Sequence, residues 1–314
     1  MEDFANKPLT FTTFDVFTDT RFRGNPLAIV HVPVGVIIFQ DQKQFIAREF
    51  NLSETVFLHE QTPADIQAGT VRIDIFTPFA EIPFAGHPTI GVSYYLLHHL
   101  RLESASTLAT KAGPVPFRRA VPGLFNGNGA EIAVAHNYHI HNRHFISTNY
   151  GKLPVVSIVN GMTAILAQVP DLEVLAEQTA NLVGSESTYT AKEDLDEGWR
   201  NGPVVTYFYV VRGWNQRDNV MELFTRNLGS REDPATGSAA AALCSFLSLS
   251  DMRRPLTCRY RVTQGVEMGR ESVILVKVTL NSNRKGIEDI LVSGQAVRVL
   301  EGKIPIPDAA LGLY

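Results

Sequence analysis

The hydrophobic pattern of the chain contains two helical runs that are apolar on nearly every face. They cover residues 88–98 and residues 234–249. A helix with so little polar surface must be buried on most sides. A sheet wrapped around each helix would bury it, so the pattern predicts two similar units.

The other apolar segments are rich in β-branched and aromatic residues, which is typical of strands. The second half repeats the plan of the first. Amphipathic or capped segments predict helices at 41–50 and 171–176, the second with Asp171 as N-cap. The predicted strands are 9–17, 27–32, 54–58 and 71–77 in the first half, and 155–159, 163–169, 204–211, 273–280 and 290–299 in the second. The segment 113–149 is predicted to join the halves, and 191–202 is predicted to be a charged loop.

A short motif opens each of the two apolar runs. His87-Pro88 stands before the first and Asp233-Pro234 before the second, and each follows a strand that ends in Phe-Thr. We interpret the two motifs as copies that place an ionisable residue at a strand-to-helix corner, with proline at the first helical position. Two such halves would each supply one proton-handling group, facing each other across a cleft. The alternative for Asp233 is a simple helix N-cap.

Composition and charge narrow the classes of function. The 314 residues include 45% hydrophobic and 19% charged residues, with a net charge of −4, which is typical of a globular protein of about two domains. Interspersed charge argues against a nucleic-acid partner, which needs a concentrated basic face. No stretch approaches the ~18 apolar residues of a membrane span, and the N-terminus has no apolar signal core, so we expect a cytoplasmic protein without a membrane partner.

Cysteine and histidine are the residues that would carry metal or thiol chemistry. The chain has two cysteines, Cys244 and Cys258, and Cys244 lies in an apolar run, so neither a disulfide framework nor a cysteine zinc site is expected. Four histidines lie between His136 and His144 at spacings that could suit a metal. Their surroundings favour a structural or surface role, and we expect no metal site.

Glu54 is the first candidate for general acid–base chemistry. It follows Asn-Leu-Ser at the start of a predicted strand, where the simple alternative is an exposed strand-end carboxylate. If it instead faced the phenylalanines at 57, 76 and 84, burial would raise its pKa toward neutrality. Such a carboxyl could both take and return a proton.

At these residues the chain resembles the PhzF-like family of phenazine biosynthesis proteins, relatives of diaminopimelate epimerase. The resemblance covers nearly the whole chain in the same order. The matching segments are 15–18, 24–28, 51–57, 76–78, 83–89, 232–239, 264–270 and 293–297.

The resemblance implies an α/β (α+β) fold of two pseudo-symmetric diaminopimelate epimerase-like domains. Each is a curved mixed sheet around a central helix, with the active site in the cleft between domains. We expect the first domain to contain residues 1–118 and a returning C-terminal strand at about 298–314. The second domain would contain residues 119–297.

The resemblance also implies an activity: a cofactor-independent isomerase, often dimeric, that shifts a proton on a small carboxylated, possibly dihydroaromatic, metabolite such as a dihydro-hydroxyanthranilate. Neither a cofactor nor a metal is expected. Glu54 would move the proton, and His87 and Asp233 would orient the substrate and relay charge. Substrate contacts are assigned to Gly86, Gly237 and Ser238 and, within the same motifs, to Asn25 and Ser53.

The chain departs from the family pattern near each repeat. Asp74 and Glu222 stand where a basic residue is common, and Arg226 stands where a proline is common. Related epimerases use one cysteine from each domain, and neither cysteine of this chain lies at the two corners. A two-thiol racemase is therefore not expected, and the charge reversals point to a changed substrate or a swapped salt-bridge network.

Two alternatives remain open from the sequence. The same fold could bind a metabolite or a protein without doing chemistry. The same site could instead perform a lyase or cyclisation step in secondary metabolism.

Overall fold

The computed structural model describes residues 8–121, 125, 128–134 and 136–308. Contacts between Cα atoms divide the chain into two units. Unit 1 runs to Ile132 and resumes at Ser293, and unit 2 comprises Ala133–Val292. The two boundaries fall within the strands Ala130–Ala133 and Ile287–Gly294. The boundaries predicted from the sequence are 118/119 and 297/298.

Unit 1 contains ten elements of the first half and one strand from the C-terminal end. They are β1 (Leu9–Val16), β2 (Asn25–Val32), α1 (Gln40–Phe50), β3 (Glu54–His59), α2 (Pro63–Ala68), β4 (Thr70–Phe76), β5 (Glu81–Ile82), α3 (Gly86–Tyr94), β6 (Thr107–Thr110), β7 (Gly113–Arg119) and, from the end of the chain, β20 (Ala296–Ile304). A π-helical turn, Tyr95–His99, extends α3. The last strand lies in unit 1, because β20 pairs antiparallel with β1.

Unit 2 follows β8 (Ala130–Ala133). Its elements are β9 (His139–Ile140), β10 (Phe145–Ser147), β11 (Gly151–Leu153), β12 (Val155–Val159), β13 (Met162–Gln168), α4 (Leu172–Ala176), β14 (Val204–Asn215), β15 (Val220–Leu228), β16 (Glu232–Asp233), α5 (Gly237–Ser250), β17 (Thr257–Gln264), β18 (Ser272–Leu280) and β19 (Ile287–Gly294). The segment predicted as one strand at 290–299 is therefore two strands, and the predicted joining segment 113–149 contains four. Asp171 caps α4 as predicted, since its Oδ1 accepts the Val174 N–H at 2.9 Å.

The two units pair their strands in the same order. In unit 1, β1–β2 is antiparallel, β2–β3 parallel, β3–β4 antiparallel, β4–β6 parallel and β6–β7 antiparallel. In unit 2, the same sequence of senses runs through β12–β13, β13–β14, β14–β15, β15–β17 and β17–β18. The predicted duplication is therefore present in the topology. Helix α3 lies between β5 and β6, and helix α5 lies at the equivalent position between β16 and β17.

The apolar helices are buried as the pattern required. Every residue of α3 from Gly86 to Ser93 is buried, and the helix contacts β1, β2, β3, β7 and β20. A Cβ at Gly91 would lie 2.5 Å from Leu27 Cδ2 and 2.9 Å from Val16 Cγ2. Helix α5 contacts β12, β13, β17 and β18 through a run of alanines. Small residues let each sheet approach its helix closely.

α5, the longest described helix, has 14 residues. None of the described helices combines the length and apolarity that a bilayer crossing requires.

Candidate active site

Glu54 is placed by a tight change of direction between α1 and β3. Helix α1 ends at Asn51, whose left-handed backbone (φ 49°) turns the chain. Glu54 then opens β3 and lies beside Leu27 of the parallel strand β2. Its side chain is 18% exposed. The carboxyl is therefore held at a strand end and is largely covered, unlike an ordinary exposed strand-end glutamate.

His87 is the second residue of α3 and is 4% exposed. Its Nδ1 lies 3.2 Å from Glu54 Oε2. Both residues belong to unit 1. The structure thus brings together two of the three residues predicted to be catalytic, which are far apart in the sequence.

The imidazole of His87 is neutral over the physiological range. Burial lowers its pKa to about 3, and the opposing effect of the Pro26 backbone carbonyl is smaller. The Nε2 atom has no hydrogen-bond partner among the described residues. A neutral imidazole beside a carboxyl can form a hydrogen bond to it through Nδ1 without becoming charged.

Asn25 and Ser53 support this pair. The side chain of Asn25 is 1% exposed, and its Nδ2 lies 3.4 Å from His87 Nδ1. Ser53 Oγ donates to Asn25 Oδ1 at 3.2 Å. Both residues were predicted to contact substrate, and that contact stays a prediction. The structure shows that they contact the His87 side of the site.

The corner of unit 2 carries the remaining predicted residues. Asp233 ends β16 and pairs with Asn227 of β15. Gly237 is buried and opens α5, and Ser238 follows it, half-buried. Thr236 Oγ1 donates to Asp233 Oδ2 at 2.5 Å. That Asp233 shares a pocket with Glu54 and His87 stays a prediction.

Strand registers show that His87 and Asp233 are not equivalent, so the predicted correspondence of the two motifs is wrong. Ile75 pairs with Ile82 in unit 1, and Asn227 pairs with Asp233 in unit 2. Helices α3 and α5 then begin at Gly86 and Gly237. The counterpart of Asp233 is therefore Ile82, and the counterpart of His87, the residue after the first glycine, is Ser238. The sequence match was misleading because proline occurs at two different places around the same corner.

The alternative role of Asp233 as the N-cap of a helix is also corrected, as is the expected place of proline at the first helical position. The N-cap of α5 is Thr236, three residues after Asp233, and the N-cap of α3 is Ala85. Pro88 is the third residue of α3 rather than the first. Asp233 thus lies in a strand, and the N-cap position of α5 belongs to Thr236.

The same registers identify the counterpart of Glu54. Phe76 pairs with Glu81 and with Thr55 in unit 1. In unit 2, Leu228 pairs with Glu232 and with Thr206. Glu54 precedes Thr55, so its counterpart is the residue before Thr206, which is Val205. The carboxyl of Glu54 thus has no counterpart in unit 2.

Comparison with known proteins shows the family of this chain. Residues 14–302 match the model of the family described as phenazine biosynthesis-like protein. The chain belongs to the phenazine biosynthesis-like (PhzF-like) family. The predicted family and fold class are confirmed.

Three relatives illustrate the similarity. An uncharacterized isomerase of Pasteurella multocida is 30% identical over 303 residues, covering 96% of this chain and 95% of the relative. The PhzF-family phenazine biosynthesis protein of Bacillus anthracis has a TM-score of 0.75 at 22% identity, covering 95% and 99% of the two chains. A hydroxyproline epimerase of Agrobacterium vitis has a TM-score of 0.60 at 14% identity, covering 96% and 94%. The two structures show a shared fold, and the named relative supports an isomerase-type enzyme.

The charged residues that depart from the PhzF-like pattern are paired inside their own units. Asp74 accepts hydrogen bonds from Lys43 Nζ at 2.5 Å and from His59 Nε2 at 2.7 Å. Arg226 donates to both carboxylate oxygens of Glu232 at 2.8 and 2.7 Å. The prediction of a rearranged salt-bridge network is therefore supported for these two positions.

Glu222, the third departure, accepts a hydrogen bond from Asn215 Nδ2 at 2.8 Å. Its predicted symmetry with Asp74 is wrong. Asp74 faces Phe57 across β3–β4, and Arg226 faces Phe208 across β14–β15, so Arg226 is the counterpart of Asp74.

The cysteines lie outside both corners, as predicted. Cys244 is fully buried within α5, where burial raises the pKa of its thiol. Cys258 is buried on β17, and both are free. The structure thus offers no exposed thiol at either helix start for the two-thiol chemistry of related epimerases.

The histidine cluster of unit 2 contains one group whose spacing suits a metal. Ligand atoms of His139, His141 and Asp196 lie within 4.8 Å of one another. However, His141 Nε2 contacts Ser157 Oγ at 2.9 Å, and His141 Nδ1 accepts the Asp196 N–H at 3.1 Å. His139 stacks on Trp199 with ring centroids 4.5 Å apart. Because both nitrogens of His141 are used, these contacts favour the predicted structural role.

Three side chains behind Asp233 were not predicted from the sequence. Thr236, Asn227 and Gln264 form hydrogen bonds around its corner. Gln264 begins one of the motifs that carried the family resemblance, which was the available signal. None of the three carries a charge, so residue type alone does not mark them as functional.

Proposed function

We propose that this protein is a cofactor-independent isomerase that shifts a proton between two carbons of a small carboxylated metabolite. The observation that carries the proposal is the distance of 3.2 Å between Glu54 Oε2 and the Nδ1 of a buried, neutral His87. A largely covered carboxyl beside a neutral imidazole is suited to taking and returning a proton.

The proposed reaction uses Glu54 as its base. Glu54 takes a proton from a carbon next to an unsaturated system, and the electron pair of that C–H bond moves into the conjugated bonds. The same carboxyl then returns the proton to a second carbon, so a C–H bond forms there and the mass is unchanged. His87 stabilises the carboxyl in both protonation states through its Nδ1.

One base distinguishes this site from that of a racemase with two opposed bases. Val205, an aliphatic residue, stands at the position of unit 2 that corresponds to Glu54. Ser238 stands at the position that corresponds to His87. A single carboxyl fits a proton shift along one face of the substrate, whereas inversion of a carbon centre needs a second base on the opposite face.

Helix starts supply the proposed carboxylate site. In α3 the first intrahelical bond is Thr89 N–H to the Ala85 carbonyl, and in α5 it is Ala240 N–H to the Thr236 carbonyl. The N–H groups of Gly86, Gly237 and Ser238 precede those bonds and favour a bound anion. We propose that Asp233 and the Ser238 hydroxyl act on the same substrate molecule as Glu54 and His87.

The test is proton exchange followed by mass spectrometry. Aromatic-precursor and other unsaturated carboxylic acids are incubated with the protein in heavy water, and the reacting carbon is examined for deuterium. Glu54→Gln should reduce turnover and exchange by roughly 10²–10⁴-fold. Glu49→Gln, an exposed glutamate of α1, is the matched control and should keep full activity.

Each outcome of this test separates the competing functions. Full activity of Glu54→Gln excludes the proposed base. A product of changed mass indicates a lyase or cyclisation step. A ligand that binds tightly but neither exchanges nor changes indicates a binding scaffold.

A further inference from the structure

Thr236 is the N-cap residue of α5, but its side chain does not cap the helix. An N-cap threonine usually accepts a hydrogen bond from a backbone N–H in the first turn, and no such bond is formed here. The hydroxyl is instead directed to Asp233, with Oγ1 2.5 Å from Asp233 Oδ2. This length is typical of a hydroxyl that donates to a charged carboxylate.

Two amide groups fix the direction of that hydrogen bond. Asn227 Nδ2 donates to Thr236 Oγ1 at 2.8 Å, and Gln264 Nε2 donates to it at 3.2 Å. A hydroxyl has one hydrogen and two acceptor positions. With both acceptor positions filled, the hydrogen of Thr236 must point to Asp233 Oδ2.

The orientation of Gln264 is itself determined by its neighbours. Its Oε1 accepts the Tyr207 hydroxyl at 2.9 Å and the Thr236 N–H at 3.3 Å. Its Nε2 also donates to the Asp233 backbone carbonyl at 2.7 Å. Since Gln264 is fully buried, its Nε2 is held facing Thr236 Oγ1.

Unit 1 shows that the fold does not require this network. The counterparts of Asn227, Asp233 and Thr236 are Ile75, Ile82 and Ala85. All three are apolar, so the corner without a carboxylate also lacks the groups that surround it. Asn227, Asp233 and Thr236 therefore form a polar group that unit 1 lacks at the same corner.

We propose that Thr236 is a positioning residue that holds Asp233 in its charged form, with Oδ2 fixed as a hydrogen-bond acceptor. The hydrogen bond to Oδ2 favours the charged form of Asp233 over the protonated form. The proposal rests on the proposed function, in which Asp233 acts on the substrate, and it defines the charge that Asp233 carries there.

Other ionisable groups lie around the corner and are unchanged by substitution of Thr236. They are Tyr207 of β14, Arg226 of β15, Glu232 of β16 and Cys244 of α5. Glu232 is paired with Arg226. The pKa of Tyr207 is raised mainly by burial and also by Asp233. A change in the titration of Asp233 in a Thr236 variant therefore reports the loss of the hydroxyl.

The test is the titration of Asp233 in the full-length protein without substrate. Proteins labelled with ¹³C at aspartate carboxyls are titrated by NMR, and the Asp233 signal is assigned by its loss in Asp233→Asn. Thr236→Val, which is nearly isosteric, should raise the pKa of Asp233 by about one to two units, the size expected for a hydrogen bond to a charged group. Thr236→Ser restores the hydroxyl and should keep the wild-type pKa.

A threonine elsewhere in unit 2 provides the control. Thr279→Val changes a residue that pairs with Thr257, at the other end of β17 from Gln264, and should leave the Asp233 signal unchanged. Circular dichroism shows whether each variant folds, and Thr236→Ala, the residue found in unit 1, replaces the valine variant if it does not.

An unchanged pKa in Thr236→Val or Thr236→Ala overturns the proposal, as does a serine variant that titrates like the valine variant. Because the titration needs neither substrate nor turnover, it is independent of the heavy-water test. A raised pKa in an inactive protein would leave the positioning role standing and remove only the proposed reaction.

Discussion

Asp74 is an acidic residue at a position where a basic residue is common in the family pattern, and its neighbours stabilise its negative charge. Burial by itself would raise the pKa of Asp74, but hydrogen bonds from His59 and Lys43 outweigh it and lower the pKa to about 2. Arg72 Nη2 lies 2.8 Å from His59 Nδ1 and can only donate, so His59 donates its Nε2–H to Asp74. The side chain of Asp74 is 18% exposed, so solvent screens these interactions only in part.

This arrangement predicts a pH-dependent contribution to stability. Because the pKa of Asp74 is lower in the folded state than in the unfolded chain, its contribution is full above about pH 4 and is lost as the pH falls toward 2. The pH-dependent part is about 2 kcal/mol, and Asp74→Asn should remove it. Denaturant unfolding from pH 7 to pH 2 measures the difference between the two proteins.

The matched control is an aspartate in an exposed ion pair. Asp194 pairs with Arg143, and both side chains are more than two-thirds exposed. Asp194→Asn should change stability by less than about 1 kcal/mol at any pH, since exposed pairs contribute little. A difference between wild type and Asp74→Asn that stays constant down to pH 2 would contradict the assigned role.

At the level of elements, the central helices are defined by how closely their sheets approach. The sixth residue of α3 is Gly91, and the sixth residue of α5 is Ala242, which is 1% exposed. The chain uses the smallest side chains where a strand crosses the helix. Because strands approach each helix closely on several sides, these helices have almost no polar face and their small residues recur.

Gly91→Val should destabilise the protein by about 2 kcal/mol or more. Its Cβ alone would enter the space of Leu27 Cδ2 and Val16 Cγ2, and overpacking of this kind costs about 1–3 kcal/mol, with a further penalty for a branched side chain in a helix. The measurement is the free energy of unfolding in denaturant. In a Leu27→Ala background the same substitution should cost clearly less, because the facing methyl groups are gone. Additive losses would show that the close contact is not the cause.

At the level of the whole molecule, the two units share a topology but differ in chemistry. Unit 1 carries the Glu54–His87 pair, and unit 2 carries Asp233 with its hydroxyl and amide neighbours. Glu54, His87, Asp233, Asn227 and Thr236 each have a residue of different type at the matching position of the other unit. The duplication thus supplies two similar scaffolds, and the Glu54–His87 pair is present in unit 1 without a counterpart in unit 2.

This difference predicts the fate of the proton during turnover. With a single base, a substrate deuterated at the acidic carbon and converted in ordinary water should give product that keeps part of its deuterium, because the same carboxyl takes and returns it. Mass spectrometry of the product after a few turnovers measures that fraction. Complete loss of deuterium from the first turnover would instead indicate two separate proton carriers or rapid exchange at Glu54.

The sequence by itself determined the family, the duplicated α/β plan and the bounds of several elements, because each depends on local periodicity and on motifs of contiguous residues. It also supplied Glu54 and His87 as candidates, but it matched His87 with Asp233. Only the pairing of β4 with β5 and of β15 with β16 revealed that their true counterparts are Ser238 and Ile82. Register depends on which residues of two strands pair, and a motif of contiguous residues does not contain that pairing. For the same reason, only the tertiary structure showed that Thr236, Asn227 and Gln264, three uncharged residues on three elements, surround one carboxylate.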